Sequence, residues 1–143
     1  MTLDRLFLDA DILFLVAYGS PGLRRFWEPV KKRGCELFVS HYVIEEARRN
    51  LFRPEDLKRL ESCLSSVSAV PEVDLDLPCP VALPEKDRPV LLAAMSVRAN
   101  HLITDDATHF GRYFGKTVSG VRICRPRDYF QLQPRRSKKK SKA

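Results

Sequence analysis

Arg5-Leu6-Phe7-Leu8-Asp9-Ala10-Asp11-Ile12-Leu13 is the stretch on which the fold turns. A short apolar run stops at one aspartate, and a second aspartate two residues on opens another apolar run, residues 12–17. This pattern predicts a strand ending at Asp9, then a buried helix over 10–18 that Gly19 closes. Outward from it the alternation continues. Ser20-Pro21 supplies a cap and a first-turn proline for a helix running toward Gly34, with Pro29 predicting a kink or a break inside it. Residues 36–39 predict a second strand, Ser40 a cap, and 41–51 a helix. Pro54 opens a helix over 55–65 with Leu57, Leu60 and Leu64 on one face, and 67–70 predict a third strand. Four prolines between 71 and 84 predict an extended loop. Pro89 then starts an amphipathic helix through Ala99, capped by Asp87 or Arg88. Residues 101–104 predict a strand, 107–114 a short helix closed by Gly115, 118–124 a last strand and 126–130 a closing turn. Strands this far apart in sequence do not form hairpins, so the order implies an α/β fold with a mostly parallel sheet. In such sheets function gathers at the carboxyl ends of the strands.

Composition narrows the class. The 143 residues suffice for one domain with a sizeable core, and no run approaches the roughly 20 apolar residues of a membrane span. The early apolar run follows two aspartates and lacks the basic start of an export signal, so a cytoplasmic protein is expected. Cys35, Cys63, Cys79 and Cys124 are scattered, with no pair at zinc-ligand spacing, and are expected to be reduced and apolar in role. Net charge is +7, but Arg135, Arg136, Lys138, Lys139, Lys140 and Lys142 stand in the last ten residues and the rest is within one charge of neutral. One domain is therefore expected over 1–133, followed by a disordered basic tail over 134–143 that attracts phosphate backbones or only aids solubility.

The chemistry-bearing residues are acidic. Asp9 follows the first strand, and Asp105 and Asp106 follow the fourth, so both groups fall at the carboxyl edge. On the helix after the second strand Val43, Ile44, Ala47 and Leu51 form the buried stripe; Glu46 falls beside it and Glu45 points further out. Asp87 starts the helix leading to the fourth strand. Taken singly, Asp9, Asp87 and Asp106 read as helix caps and Glu46 as a solvated helix residue. Asp11 reads as a first-turn acid or a group supporting the site, and Thr104 as a strand residue or a hydroxyl that binds a metal-bound water. Taken together, several carboxylates in one crevice repel each other unless a hard cation such as Mg²⁺ or Mn²⁺ joins them. Such a cation lowers the pKa of a bound water and stabilises charge on a phosphoryl group, and no nucleophilic side chain is needed.

Four segments carry a resemblance. Residues 7–13 (FLDADIL), 40–47 (SHYVIEEA), 86–94 (KDRPVLLAA) and 102–106 (LITDD), the last followed by His109-Phe110, resemble the four motifs of PIN-domain nucleases in order and spacing. The resemblance spans residues 6–130. It implies a three-layer α/β/α sandwich and a Mg²⁺- or Mn²⁺-dependent endoribonuclease whose catalytic acids are Asp9, Glu46, Asp87 and Asp106. Asp9, Asp87 and Asp106 would be the metal ligands, and Asp11, Thr104 and Asp105 the supporting residues. Many bacterial members similar to this chain are VapC-type toxins that pair with an antitoxin protein and often form homodimers. Asp11 and Asp105 depart from the residues common at those positions, and the basic tail is not a family feature. Two other readings stand beside it. Asp9-x-Asp11 after a first strand also suits a haloacid-dehalogenase-like phosphatase, with Asp9 as nucleophile, Asp11 as general acid and Lys86 as charge partner, but that scheme leaves Glu46 and Asp87 without a role. A non-cleaving RNA-binding PIN module is the other.

Overall fold

The structure, a computed structural model, describes residues 3–132. The basic tail and its six cationic residues lie outside the described residues. In chain order the elements are β1 (Arg5–Leu8), α1 (Ala10–Tyr18), α2 (Pro21–Lys32), β2 (Glu36–Ser40), α3 (His41–Arg49), α4 (Pro54–Leu64) and β3 (Ser68–Val70). After the proline-rich loop come α5 (Arg88–Ser96), β4 (His101–Ile103), α6 (Ala107–Phe110), β5 (Thr117–Val118), β6 (Val121–Cys124) and α7 (Pro126–Leu132). Single 3₁₀ turns occupy Glu85–Asp87 and Gly111–Tyr113.

The strands form one six-stranded sheet in the order β3-β2-β1-β4-β6-β5. Every pairing is parallel except β5 with β6. Successive β1 residues Leu6, Phe7 and Leu8 point to opposite faces, and all three are 0% exposed. Both faces of the sheet are therefore covered, as a parallel sheet requires, and the architecture is a three-layer α/β/α sandwich. From β1 the chain moves outward through β2 and β3, then returns to lay β4 on the other side of β1. The strand order thus reverses between β1 and β4, where open α/β sheets leave a crevice at their carboxyl ends.

Local sequence explains the joints. Gly19 takes φ +91° to end α1, a left-handed conformation that costs glycine little. The Ser20 and Ser40 side chains accept the Leu23 and Val43 N–H groups at the starts of α2 and α3. Arg59 on α4 donates to the Ala17 carbonyl and to Asp56, holding α4 against the end of α1. The described cysteines are unpaired, and burial pushes the Cys63 and Cys124 thiols up to about 12.

Four expectations about elements need correction. Of the kink or break expected at Pro29, the break does not occur: the helix continues to Lys32, because burial of Leu23, Phe26, Trp27 and Val30 along one face outweighs the lost hydrogen bond. The last strand is two strands. Ser119 and Gly120 take φ +50° and +86°, turning the chain into an antiparallel hairpin between β5 and β6. The helix expected over 107–114 is four residues of α-helix followed by a 3₁₀ turn, and the closing turn is the helix α7.

Candidate metal and phosphate site

The register of β1 against β4 builds the floor of the site. Leu8 lies opposite Ile103, and the Asp9 N–H donates to the Ile103 carbonyl at 3.0 Å, so Asp9 stands beside Thr104 at the carboxyl edge. Thr104, wholly buried, donates its hydroxyl to Asp9 Oδ2 at 2.8 Å and accepts the Asp106 N–H at 3.1 Å. One hydroxyl therefore joins the acids that end two neighbouring strands. Its proton is engaged with Asp9 itself. The other Asp9 oxygen accepts the Ala10 N–H at 2.7 Å.

The other acids arrive from outside the sheet. Tyr42 on α3 donates its hydroxyl to the Lys86 carbonyl at 2.6 Å, which ties the 3₁₀ turn carrying Asp87 to the helix carrying Glu46. Asp87 precedes α5 but makes no side-chain capping bond, and its carboxylate is free to face the cleft, buried to 4% exposure. Glu46 is half-buried and Glu45 exposed, as the position of the buried stripe predicts. The Glu46 carboxylate accepts no hydrogen bond from the described residues. Asp9, Asp11, Glu46, Asp87 and Asp106 line a single cleft of about 540 Å³ together with Phe14, Asn50 and Lys86.

His109 follows the fourth motif, but nothing in the sequence assigned it a role in the site. Its Nδ1 lies 2.8 Å from Asp106 Oδ2 and 3.2 Å from Asp87 Oδ2, so the ring bridges two acids from different parts of the chain. Asp106 meanwhile caps α6, accepting the His109 N–H at 3.1 Å. The signal was present as an i, i+3 pair across a capping aspartate, in a helix too short to show periodicity. Lys86 Nζ lies 3.2 Å from Asp87 Oδ1 and is the only cation lining the cleft among the described residues.

Electrostatics follow from crowding. Burial, with the Glu46 and Asp87 charges added, raises Asp9 to about 6 against the hydrogen bonds that favour its anion. Burial, then the Asp9 charge, raises Asp11 to about 8. Burial also works to raise Asp106, but the hydrogen bonds from the His109 ring and N–H outweigh it and hold that carboxyl below its ordinary value. Asp105 contributes differently. Its N–H donates to Asp11 Oδ2 at 2.9 Å, while the residue lines a neighbouring cleft rather than this one.

The ligand atoms that approach most closely belong to Asp87, Asp106 and His109, all within 4.8 Å of one another. Asp9 lies in the same cleft but outside this set, its oxygens turned to Thr104 and Ala10. A set of carboxylate oxygens with one imidazole and an excess of negative charge fits a divalent cation of the Mg²⁺ or Mn²⁺ kind; the imidazole nitrogen is more at home on Mn²⁺.

No protein-family model matches the chain, and no curated protein matches it by sequence. Among solved structures, a chain in the crystal structure of VapBC2 from Rickettsia felis bound to a DNA fragment from their promoter is similar, with a TM-score of 0.60 and 13% identity. The likeness covers 85% of this chain and 98% of that one. At that identity it shows the fold, and the PIN-like α/β/α sandwich expected from the sequence is the architecture found. No helix among the described residues is long and apolar enough to cross a membrane.

Proposed function

We propose that this protein is a metal-dependent endoribonuclease that hydrolyses RNA phosphodiester bonds at the cleft between β1 and β4. One observation carries the reading: five carboxylates from four segments of the chain meet at the point where the strand order reverses, with no comparable number of cations to neutralise them. Asp87 and Asp106 would hold Mg²⁺ or Mn²⁺, joined by Asp9. When bound, the cation supplies an acidified water and neutralises charge on the phosphoryl oxygens. The protein's own groups do the rest. Thr104 fixes Asp9 and Asp106 relative to each other, and the His109 ring holds Asp87 against Asp106. Glu46, unencumbered on the cleft wall, accepts the proton of the attacking water. Lys86 meets a phosphate oxygen on the side of Asp87.

The phosphatase reading loses ground on geometry. Asp9 is 6% exposed and its oxygens accept the Ala10 N–H and the Thr104 hydroxyl, so little of its carboxylate is open to an incoming phosphoryl group. It would also strand Glu46 and Asp87 in the cleft without work. The resemblance of the four motifs to those of VapC-type toxins, beside the likeness in fold to a chain of a VapBC2 complex, extends the proposal to the toxin of a toxin–antitoxin pair, restrained by an antitoxin protein and able to form a homodimer.

The test is cleavage of single-stranded RNA in Mg²⁺ or Mn²⁺ by the wild type and by Asp9→Asn, Asp87→Asn and Asp106→Asn. Each variant is expected to lose about 100-fold or more in rate, the scale of removing one group that stabilises transition-state charge. Cleavage that persists at the wild-type rate in Asp87→Asn and Asp106→Asn would sink the assigned site. Absence of cleavage by the wild type, with RNA still bound, would favour the non-cleaving module.

A further inference from the structure

A second cleft, of about 380 Å³, opens at the same edge of the sheet and takes no part in the site described above. Arg25 from α2, Arg127 from α7 and the half-buried Phe130 line it, with Asp105 at its border. The two clefts share a wall. Asp11 lines the first and Asp105 the second, and the hydrogen bond from the Asp105 N–H to Asp11 Oδ2 runs through the partition. The contrast in charge across that wall is sharp. The first cleft holds five acids and one lysine, whereas the second holds two exposed arginines that have no ion pair or hydrogen bond among the described residues. Unpaired cations beside a ring are what single-stranded nucleic-acid grooves use: arginines track the backbone and aromatic faces take bases.

We propose that this second cleft holds the RNA strand next to the phosphate being cut, with Arg25 and Arg127 binding phosphodiester oxygens and an unpaired base packing beside Phe130 and the Arg33 guanidinium that lies over its ring at 4.8 Å. The proposal rests on the nuclease reading and deepens it by assigning a single-stranded substrate and a direction of travel across the Asp11–Asp105 partition. It also gives the departure at Asp105 a use. A carboxylate in a phosphate cleft is unfavourable toward phosphate itself but accepts a hydrogen bond from a ribose 2′-hydroxyl, the donor that DNA lacks. The acids draw cations and the arginines draw the strand, so the two clefts divide the work of holding one polyanion.

The experiment measures binding of a fluorescein-labelled ten-nucleotide single-stranded RNA to the full chain between 50 and 200 mM salt, by anisotropy. Asp106→Asn is present throughout to stop turnover. Adding Arg25→Gln and Arg127→Gln is expected to weaken binding about tenfold at 0.1 M salt. It should also make the slope of log affinity against log salt shallower by about 1.4, the value for two phosphate contacts on a single strand. A control removing two exposed charges elsewhere, Lys31→Gln with Lys58→Gln, is expected to leave both quantities unchanged. Any contribution of the basic tail is common to all these proteins and cancels. Unchanged affinity and slope when the two arginine substitutions are added, while the wild-type chain cleaves RNA, overturns the inference and leaves the nuclease reading standing. RNA binding by none of the proteins overturns both. Unchanged RNA affinity with a loss of self-association by light scattering assigns the cleft to a second copy of the chain, and overturns the proposal.

Discussion

At the scale of single residues the site is a contest between burial and charge. Asp11 shows it best. Its folded pKa, about 8, lies above the ordinary 3.8, first because it is buried and next because Asp9 is close. The folded chain therefore binds that proton more tightly than the unfolded chain. The associated stability is fully present below pH 4 and is lost as pH rises through 8. Asp9 adds a loss of the same sign up to about pH 6. Asp11→Asn removes the charge and keeps an acceptor for the Asp105 N–H, so it is expected to raise the metal-free melting temperature by about 3 °C at pH 8 and to leave it unchanged at pH 4. Differential scanning calorimetry at the two pH values checks this. Mn²⁺ should stabilise the wild type more at pH 8 than at pH 5, because Asp9 and Asp11, whose carboxyls burial raises to about 6 and about 8, add their negative charge to the cleft only at the higher pH. His109 is a positioning residue in this scheme. His109→Ala is expected to return the Asp106 carboxyl toward its ordinary value and to weaken Mn²⁺ binding by about 10- to 100-fold in titration calorimetry, while His109→Gln restores part of it.

At the scale of elements, short sequence signals set some pieces and missed others. Asp9 and Asp106 could be placed from sequence because each ends an apolar run, and a parallel sheet puts strand ends on one edge. Asp87 could not be fully placed. Its position before α5 marks it as a cap, and only the structure shows that its side chain makes no capping bond and turns to the cleft. The β5–β6 hairpin was hidden because Val118 and Val121–Cys124 read as one apolar run, although Ser119-Gly120 within it is a turn signal. Gly120 has φ +86° with open space around it, so the constraint is backbone conformation rather than crowding. Gly120→Ala is expected to cost about 1 kcal/mol in urea unfolding. The helix α7 was read as a turn for another reason. Its seven residues are too few to display a period, and its hold on the body comes from residues distant in sequence.

That hold belongs to the scale of the whole molecule. Tyr129 on α7 is 1% exposed and donates its hydroxyl to Asp4 just before β1; Cys35 just before β2 lies 3.7 Å from the same hydroxyl. His101, which opens β4, packs edge-on against the Tyr129 ring at 5.0 Å. Burial, then the hydrogen bond to Asp4, holds the phenol far above its ordinary pKa, so it stays a donor throughout the working range. These groups precede or open strands, and therefore sit at the amino edge of the sheet, opposite the acids. The sheet thus has a chemical edge and a fastening edge. Tyr129→Phe is expected to cost about 1–2 kcal/mol in urea unfolding with kcat/KM for RNA unchanged, since only the fastening edge is touched. A parallel fall in activity and stability would show that the two edges are coupled.

The outermost strands carry a consequence of their own. β5 has two residues and β3 three, so both flanks of the sheet end in strands too short to offer an unbroken row of backbone donors and acceptors. A neighbouring molecule arriving flank-on finds almost no template on which to add a strand, so fibril-like growth is blocked at its first step. The most deeply buried apolar strands, β1 and β4, lie at the centre and become available only when the whole sheet comes apart. Protection against aggregation is therefore as cooperative as the fold, and should fail at the unfolding transition rather than gradually before it.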